Sequence, residues 1–385
     1  MKRTFTLLLI IGVALFVACK QRPVLNVLPI VTTGEIVSIS SSVAVCVGTV
    51  TDDGGGNILA RGVCWGTSKN PTIDDWHTSE GTGVGTFTSY LTNLNASDVY
   101  YIRAYATNEA GTAYGEQKTV PTGIPTGAIE AMYSVSETQK VCFSKGNLQY
   151  NTETGIWRFA ENQYDYVGKE YNSANNKWID LFGWGTSGYQ HGATCYQPTS
   201  TSTDDNKYYA YNNSHFSLND QTGQADWGYN AISNGGNVEN IWRTMTRIEW
   251  NYVFNSRNTP SGIRYVKAQI DTVGGVLLLP DNWNSAVYNL NEINNVQADY
   301  SSNVIDKSDW ENILENSGAV FLPAAGSRRG YVIYNIGSQG LYWTTTFYTT
   351  TLANAFNFQQ GINLGVSAVN RFYGNSVRLV SNVVQ

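Results

Sequence analysis

The sequence predicts a multidomain chain, an all-β sandwich followed by an α+β domain. Three observations carry that reading. Residues 31–122 hold short alternating segments separated by turn signals, with no helical period among them. Residues 120–130, VPTGIPTGAIE, carry two Pro and two Gly and mark a boundary. Beyond it, two capped apolar faces at helical spacing precede a run of strands that ends the chain.

Composition agrees with this. The 385 residues are 13% aromatic, with 25 Tyr, 11 Trp and 37 Gly, and only 14% are charged. Such a chain favours strands and loops over helix. With a net charge of −6 nothing is basic enough to suggest nucleic acid, and no strong electrostatic partner is implied.

Lys2 and Arg3 precede an apolar run over residues 4–18 that is too short for a membrane span, the pattern of an export signal over residues 1–18. The run ends in Phe16-Val17-Ala18-Cys19, which resembles a bacterial lipobox with Phe16 where Leu is usual. The resemblance implies lipidation of Cys19, and Lys20 in place of Asp implies sorting to the outer membrane, held there by the lipid anchor alone. Residues 19–30 read as a tether. Cys46, Cys64, Cys142 and Cys195 remain, too few for a disulfide framework in an exported chain of this length. Cys46 and Cys64 fall in neighbouring expected strands, which leaves a bridge and two buried thiols both open. No CxxC or HxxxH spacing occurs, and His77, His191 and His215 are scattered, so no metal and no other cofactor is expected.

Within 31–122, SSVAVCVGTV followed by TDDGGG is a strand and its turn, ARGVCWGT is a second strand, and GTFTSYLTNL alternates. DVYYIRAYATNEAGTAYG places two strands around Asn108-Glu109-Ala110-Gly111. ARGVCWGTSKNPTI and YYIRAYATNEAGTAYGE resemble the fibronectin type III-like modules of Bacteroidetes surface lipoproteins, which act mostly as spacers and stalks. After the 123–130 linker, residues 131–385 open with the strands KVCFSKGNLQYN and TGIWRFAEN. Thr246 and Glu249 form a capping box, and Trp250, Val253 and Phe254 follow at i, i+3, i+4. Ser308 and Glu311 repeat the box, with Trp310, Ile313 and Leu314 behind it. GGVLLLPDNW, GAVFLPAAGSRRG, GLYWTTTFY, NAFNFQ and SVRLV are strands.

This region resembles the C-type lectin fold. WRTMTRIEWNYVF and GNSVRLV are similar to the helix-opening and terminal-strand motifs of the formylglycine-generating enzyme branch. Its longer run of motifs is similar to a large family of Bacteroidetes surface proteins, the major paralogous domain proteins. The oxidase activity of the enzyme branch needs a cysteine pair late in the domain, and no cysteine follows Cys195. Neither the Glu/Gln-Pro-Asn/Asp nor the Trp-Asn-Asp motif of calcium-dependent sugar binding is present. Asp180, Asp204, Asp205, Asp226 and Asp281 are tied by no recognised spacing, and GWGTS is not a nucleophile elbow. No catalytic residue is expected.

The remaining signal is a gap. Residues 331–370 contain no Asp, Glu, Lys or Arg, where the chain average of 14% would place about six; Arg328 and Arg329 precede the gap and Arg371 follows it. Tyr, Phe, Asn, Ser and Thr give contact area and adaptable hydrogen bonds, and missing charge lowers the cost of desolvation. Tyr342, Trp343, Phe356, Phe358, Arg371 and residues 376–379 read as framework. Tyr348, Thr350, Thr351, Leu352, Ala355, Asn357, Gln359, Ile362, Leu364, Val366, Ala368 and Phe372 read as a neutral outward set, the candidate ligand-binding residues. Strand alternation splits ANAFNFQ into Phe356 and Phe358 inward and Ala355, Asn357 and Gln359 outward. A neutral set on a fixed framework is also similar to the variable proteins of diversity-generating retroelements. The expected function is binding of an extracellular protein or glycan, as an adhesin or receptor component. A structural subunit of a pilus or surface layer is the alternative, and an enzyme on the formylglycine-generating scaffold is disfavoured by the missing cysteines.

Overall fold

The computed structural model describes residues 26–39, 44–92, 94, 99–121, 124–168, 177–191, 194–209, 216–219, 223–237 and 239–383. Cys19, the export signal, most of the tether and His215 lie outside the described residues.

Among the described residues, eight strands make up the first part of the chain. β1 (Ile30–Ile39), β2 (Ala44–Asp52) and β5 (Gly85–Leu91) form one antiparallel sheet. β4 (Trp76–His77), β3 (Ala60–Gly66), β6 (Val99–Asn108) and β7 (Gly111–Tyr114) form another, with β8 (Lys118–Pro121) also on β6. Alternating burial along β2 and β5 sends Cys46, Val50, Phe87 and Leu91 into one core with Val63, Trp65, Tyr100 and Ile102. Asn108 ties the β6–β7 turn down by accepting the Ala110 N–H and donating to the Val27 and Asp53 carbonyls. Cys46 and Cys64 are both buried and form no disulfide with each other. The Cys64 thiol donates instead to the Pro71 and Arg103 carbonyls, and burial pushes it up to about 11.

Beyond residue 124 the structure is a set of small sheets, and the described chain as a whole is mostly β, 40% strand against 8% helix. β9 (Tyr133–Ser134), β10 (Lys140–Phe143), β16 (Arg243–Thr244) and β26 (Leu379–Val383) form one sheet, so the last strand pairs with one of the first in this region. β11 (Leu148–Asn151), β12 (Trp157–Phe159) and β13 (Trp178–Ile179) form a second, and β14 (Gln190–His191) with β15 (Thr194–Cys195) a short hairpin. β17 (Tyr265–Ile270), β18 (Val273–Leu278), β19 (Val304–Ile305) and β20 (Val320–Pro323) form a buried sheet. β21 (Ser327–Arg329) and β22 (Val332–Tyr334) make a hairpin, and β23 (Gln339–Phe347), β24 (Leu352–Gln359) and β25 (Asn363–Asn370) the last sheet.

The helices are shorter than an α+β reading suggests. α1 (Arg247–Asn251) starts on the expected box: Thr246 accepts the Glu249 N–H at 3.2 Å while the Glu249 carboxylate accepts the Thr246 N–H at 2.7 Å. It runs on as one π-helical stretch to Ser256 and stops ahead of Pro260. α2 (Lys307–Asp309) corrects the second expected box. Its cap is Asp306, which accepts the Asp309 N–H at 2.8 Å, and Ser308 sits inside the helix accepting from Asn312. The π-helical continuation Trp310–Leu314 buries Trp310 and Leu314 as expected and leaves Ile313 half-buried.

Candidate functional site

The framework expected around the uncharged window is buried. Tyr342, Phe356, Phe358, Val377 and Arg371 are wholly inaccessible, and Trp343 and Arg378 nearly so. α1 and its continuation cover one face of the β23–β24–β25 sheet. Trp250 stacks on Phe356 at 4.7 Å between ring centroids and 6° between planes, and Phe254 stacks on it at 4.3 Å. Aromatic burial here is stabilising, since each such ring removes about 150–250 Å² of surface from water.

The charges that bracket the window point inward. Arg328 donates to the Leu181, Ser200 and Gly330 carbonyls. Arg371 lies over the Trp184 ring at 4.6 Å and donates to the Tyr209, Thr349 and Leu352 carbonyls; burial lowers it to about 10. Arg378 reaches Gln163 at 2.5 Å and is lowered to about 10, again by burial. Arg328 and Arg371 tie loops to the sheet through backbone oxygens, and Arg378 reaches the Gln163 and Asn147 side chains as well as the Phe321 carbonyl, work for which the planar fork of Arg is suited. Arg329 alone of the group is exposed, over the rings of Tyr373 (4.5 Å) and Tyr334 (5.2 Å).

The candidate ligand-binding residues do not form one surface. β24 pairs with β25 from Leu352↔Asn370 to Gln359↔Asn363, so the turn between the strands is residues 360–362. That register puts Leu364, Val366 and Ala368 on the Phe356 and Phe358 face, under α1. Leu364 and Val366 pack against the core there, and only Ala368 is exposed. Ala355 contradicts the expected outward position: it is fully buried, opposite Trp343 and Ser367, in a second core with Ala353, Leu341 and Val377. At that end the sheet is covered on both faces, so alternation separates two buried sides rather than a buried and an open one.

The others divide between the two ends of the sheet, roughly 25 Å apart for an eight-residue strand. Tyr348 (53% exposed) and Thr350 are open, with Thr351, Leu352 and Phe372 half-buried, at one end. Ile362 (60% exposed) and half-buried Gln359 lie at the other. Asn357, between them, belongs to a ladder of uncharged polar side chains. Asn335 donates to Gln339 at 2.8 Å, Gln339 to Asn357 at 2.9 Å, and Asn357 to Ser367 at 3.4 Å. Asn335 also lines an open depression of about 480 Å³ with Tyr331, Val332, Ile333 and Ile336. Tyr331 (74% exposed), Val332 and Tyr334 present apolar surface around it. Tyr331, Tyr334, Asn335, Gln339 and Ser367 were missed from the outward set, although all five lie in the uncharged window that flagged it.

The named carboxylates hold the scaffold. Asp226 accepts the Gly228 N–H and both the N–H and hydroxyl of Thr244, and burial raises it. Burial pushes Asp281 up, but the Ser134 N–H and hydroxyl and the Arg257 guanidinium outweigh it and hold the carboxyl below its usual range. Asp180 accepts the Val167 N–H at 2.7 Å, and burial raises it to about 6. Asp204 caps a short 3-10 turn, and half-buried Asp205 follows it. Lys267 is buried beneath the β24–β25 turn and donates to the Val296 and Gln359 carbonyls, each at 2.6 Å. Among the described residues no three or more His, Cys, Asp or Glu side chains are gathered so as to hold a metal ion.

No protein-family model matches the chain, and no curated protein matches it. Solved structures that it resembles are fibronectin type III domains and a bacterial sensor domain, over about a quarter of its length. A human fourth fibronectin type III domain is 21% identical, with 29% of this chain and 88% of that one covered and a TM-score of 0.20. The third fibronectin III domain of the human KIAA0343 protein is 17% identical, covering 26% and 86%, TM-score 0.19. The sensor domain of the anti-sigma factor RsgI4 of Pseudobacteroides cellulosolvens is 14% identical, covering 25% and 94%, TM-score 0.20.

Proposed function

We propose that this chain is a lipid-anchored outer-membrane protein in which a fibronectin type III-like stalk carries a C-type-lectin-like recognition domain. Its ligand is an extracellular protein or glycan. One observation carries the reading: the carboxamide ladder Asn335–Gln339–Asn357–Ser367, beside the depression at Tyr331–Ile336, in a stretch without charge. Amide groups that bond one another are pre-oriented, and exposed tyrosines add rigid contact area at low entropic cost. The binding set is thereby moved from the residues expected on β25 to Tyr331, Tyr334, Asn335, Gln339 and Asn357, with Tyr348 and Ile362 at the margins. Diversification by a retroelement belongs to the same proposal. A reverse transcriptase gene and a near-copy of the codons for residues 341–380 in neighbouring DNA would support it, and their absence would remove it.

The test is a screen of the intact chain against immobilised glycans and extracellular proteins, repeated with Tyr334→Ala and Asn357→Ala combined. Binding that the double variant loses, with melting unchanged, supports the face. Binding that it keeps places the site elsewhere. The alternative role as a pilus or surface-layer subunit is favoured by one feature, the outer edge of β25, on which no strand pairs among the described residues.

A further inference from the structure

β24 pairs with β25 over all eight residues without a bulge, and among the described residues no strand pairs with the other side of β25. Just beyond that register, Arg371 donates its backbone N–H to the Thr351 carbonyl at 3.0 Å. Hydrogen-bonded pairs recur at every second residue of an antiparallel ladder. Val369, Ser367, Gly365 and Asn363 therefore turn their backbone groups to β24, while Leu364, Val366, Ala368 and Asn370 turn theirs outward. The Asn370 carbonyl is taken by the Tyr373 N–H at 3.0 Å, but the outward groups of Leu364, Val366 and Ala368 have no partner among the described residues. Edges of this kind are ordinarily guarded by Lys, Pro or a bulge. The β25 sequence, NLGVSAVN, has none of these.

We infer that the β25 edge pairs with the β25 edge of a second copy of this chain, antiparallel about a two-fold axis at Val366, joining two sheets into one. Charge permits this occupant, and the register selects it. Each chain carries a net −6, so copies repel in general, yet residues 331–370 bring no charge to the junction. The sequence is also self-complementary in this register. Val366 meets Val366 and Leu364 meets Ala368 on the α1-covered face, while Gly365 meets Ser367 on the other. The central Val366 pair is β-branched, a favourable cross-strand combination. A two-fold at Ser367 would pair Leu364 with Asn370, whose carbonyl is already engaged, so the Val366 register uses only the free groups. The inference goes beyond the recognition role and does not rest on it, since recognition uses the polar face and pairing uses the edge.

Sedimentation of the full chain in mild detergent, with Cys195→Ser to remove the half-buried thiol, tests this. A reversible dimer is expected. Ala368→Pro removes an outward N–H and leaves the bonds to β24 in place, so it should weaken the dimer at least about tenfold with unchanged melting. Ala368→Glu, at an exposed side chain, replaces it if the proline lowers the melting temperature. In the same background Val366→Cys should cross-link to itself under mild oxidation, since paired Cα atoms about 5.5 Å apart suit a disulfide, and Ser367→Cys should not. A monomer at every concentration, or a dimer that neither Ala368 variant weakens, overturns the inference. So does cross-linking at Ser367 in preference to Val366, or a lone monomer whose edge takes up a strand only from a different protein.

Discussion

Phe356→Ala removes the ring on which α1 rests. The side chain is fully buried and stacks on both Trp250 and Phe254, which also stack on each other, with Phe358 5.7 Å away. A buried Phe→Ala change costs about 3–5 kcal/mol, and each aromatic pair adds about 0.5–1.5 kcal/mol beyond its buried area. The rings of both stacks are nearly parallel, so the loss should fall near the upper end, about 4–5 kcal/mol. That is a large share of a stability of about 5–15 kcal/mol. Guanidinium unfolding followed by tryptophan fluorescence is a suitable assay, because all of the 11 Trp except Trp65 and Trp76 lie beyond residue 150. A parallel Tyr348→Ala variant should stay within about 0.5 kcal/mol of the parent, as surface changes do. A Phe356→Ala loss below about 2 kcal/mol, or one equal to that of Tyr348→Ala, would refute the division into framework and substitutable surface.

Further outcomes follow from the same geometry. Ala355→Leu should destabilise by about 1–3 kcal/mol through overpacking against Trp343, measured by thermal melting, whereas an outward Ala355 would tolerate it. Lys267→Met leaves the Val296 and Gln359 carbonyls without their donor, at about 1–3 kcal/mol each, and hydrogen exchange should quicken at the 360–362 turn; unchanged exchange there would count against the lysine as its anchor. Burial raises the Asp180 carboxyl to about 6 from 3.8, so the folded chain keeps a proton that the unfolded chain releases between those values. Stability should therefore fall by about 3 kcal/mol as pH rises through that window, and Asp180→Asn should abolish this fall. Melting curves that keep the same pH slope in the variant would contradict it.

How much of this was legible in the sequence varies by element, for physical reasons. Period-two alternation made β2 and β5 readable, and Thr246 with Glu249 located α1, because both signals are local. Ser308 misled because Asp306 can cap equally well and lies only two residues earlier. Phe356 and Phe358 were readable as core from alternation. Ala355 was not, because alternation assigns a residue to a face without saying what covers that face. Leu364 and Val366 depended on the length of the 360–362 turn: one residue fewer would have turned them to the opposite side. The ladder from Asn335 to Ser367 joins three strands and a preceding turn, and no spacing along the chain encodes that proximity.

The central claim is that the uncharged face makes the contact, and salt tests it most directly. With a ligand recovered in the screen, its Kd is measured on the intact chain from about 0.05 to about 0.5 M salt, a range over which charged contacts are strongly screened. A contact made by tyrosines and carboxamides predicts a change within about twofold, and at least a tenfold loss of affinity in the Tyr334→Ala, Asn357→Ala variant at every salt concentration. A steep fall of affinity with salt, unaffected by that variant, would contradict it.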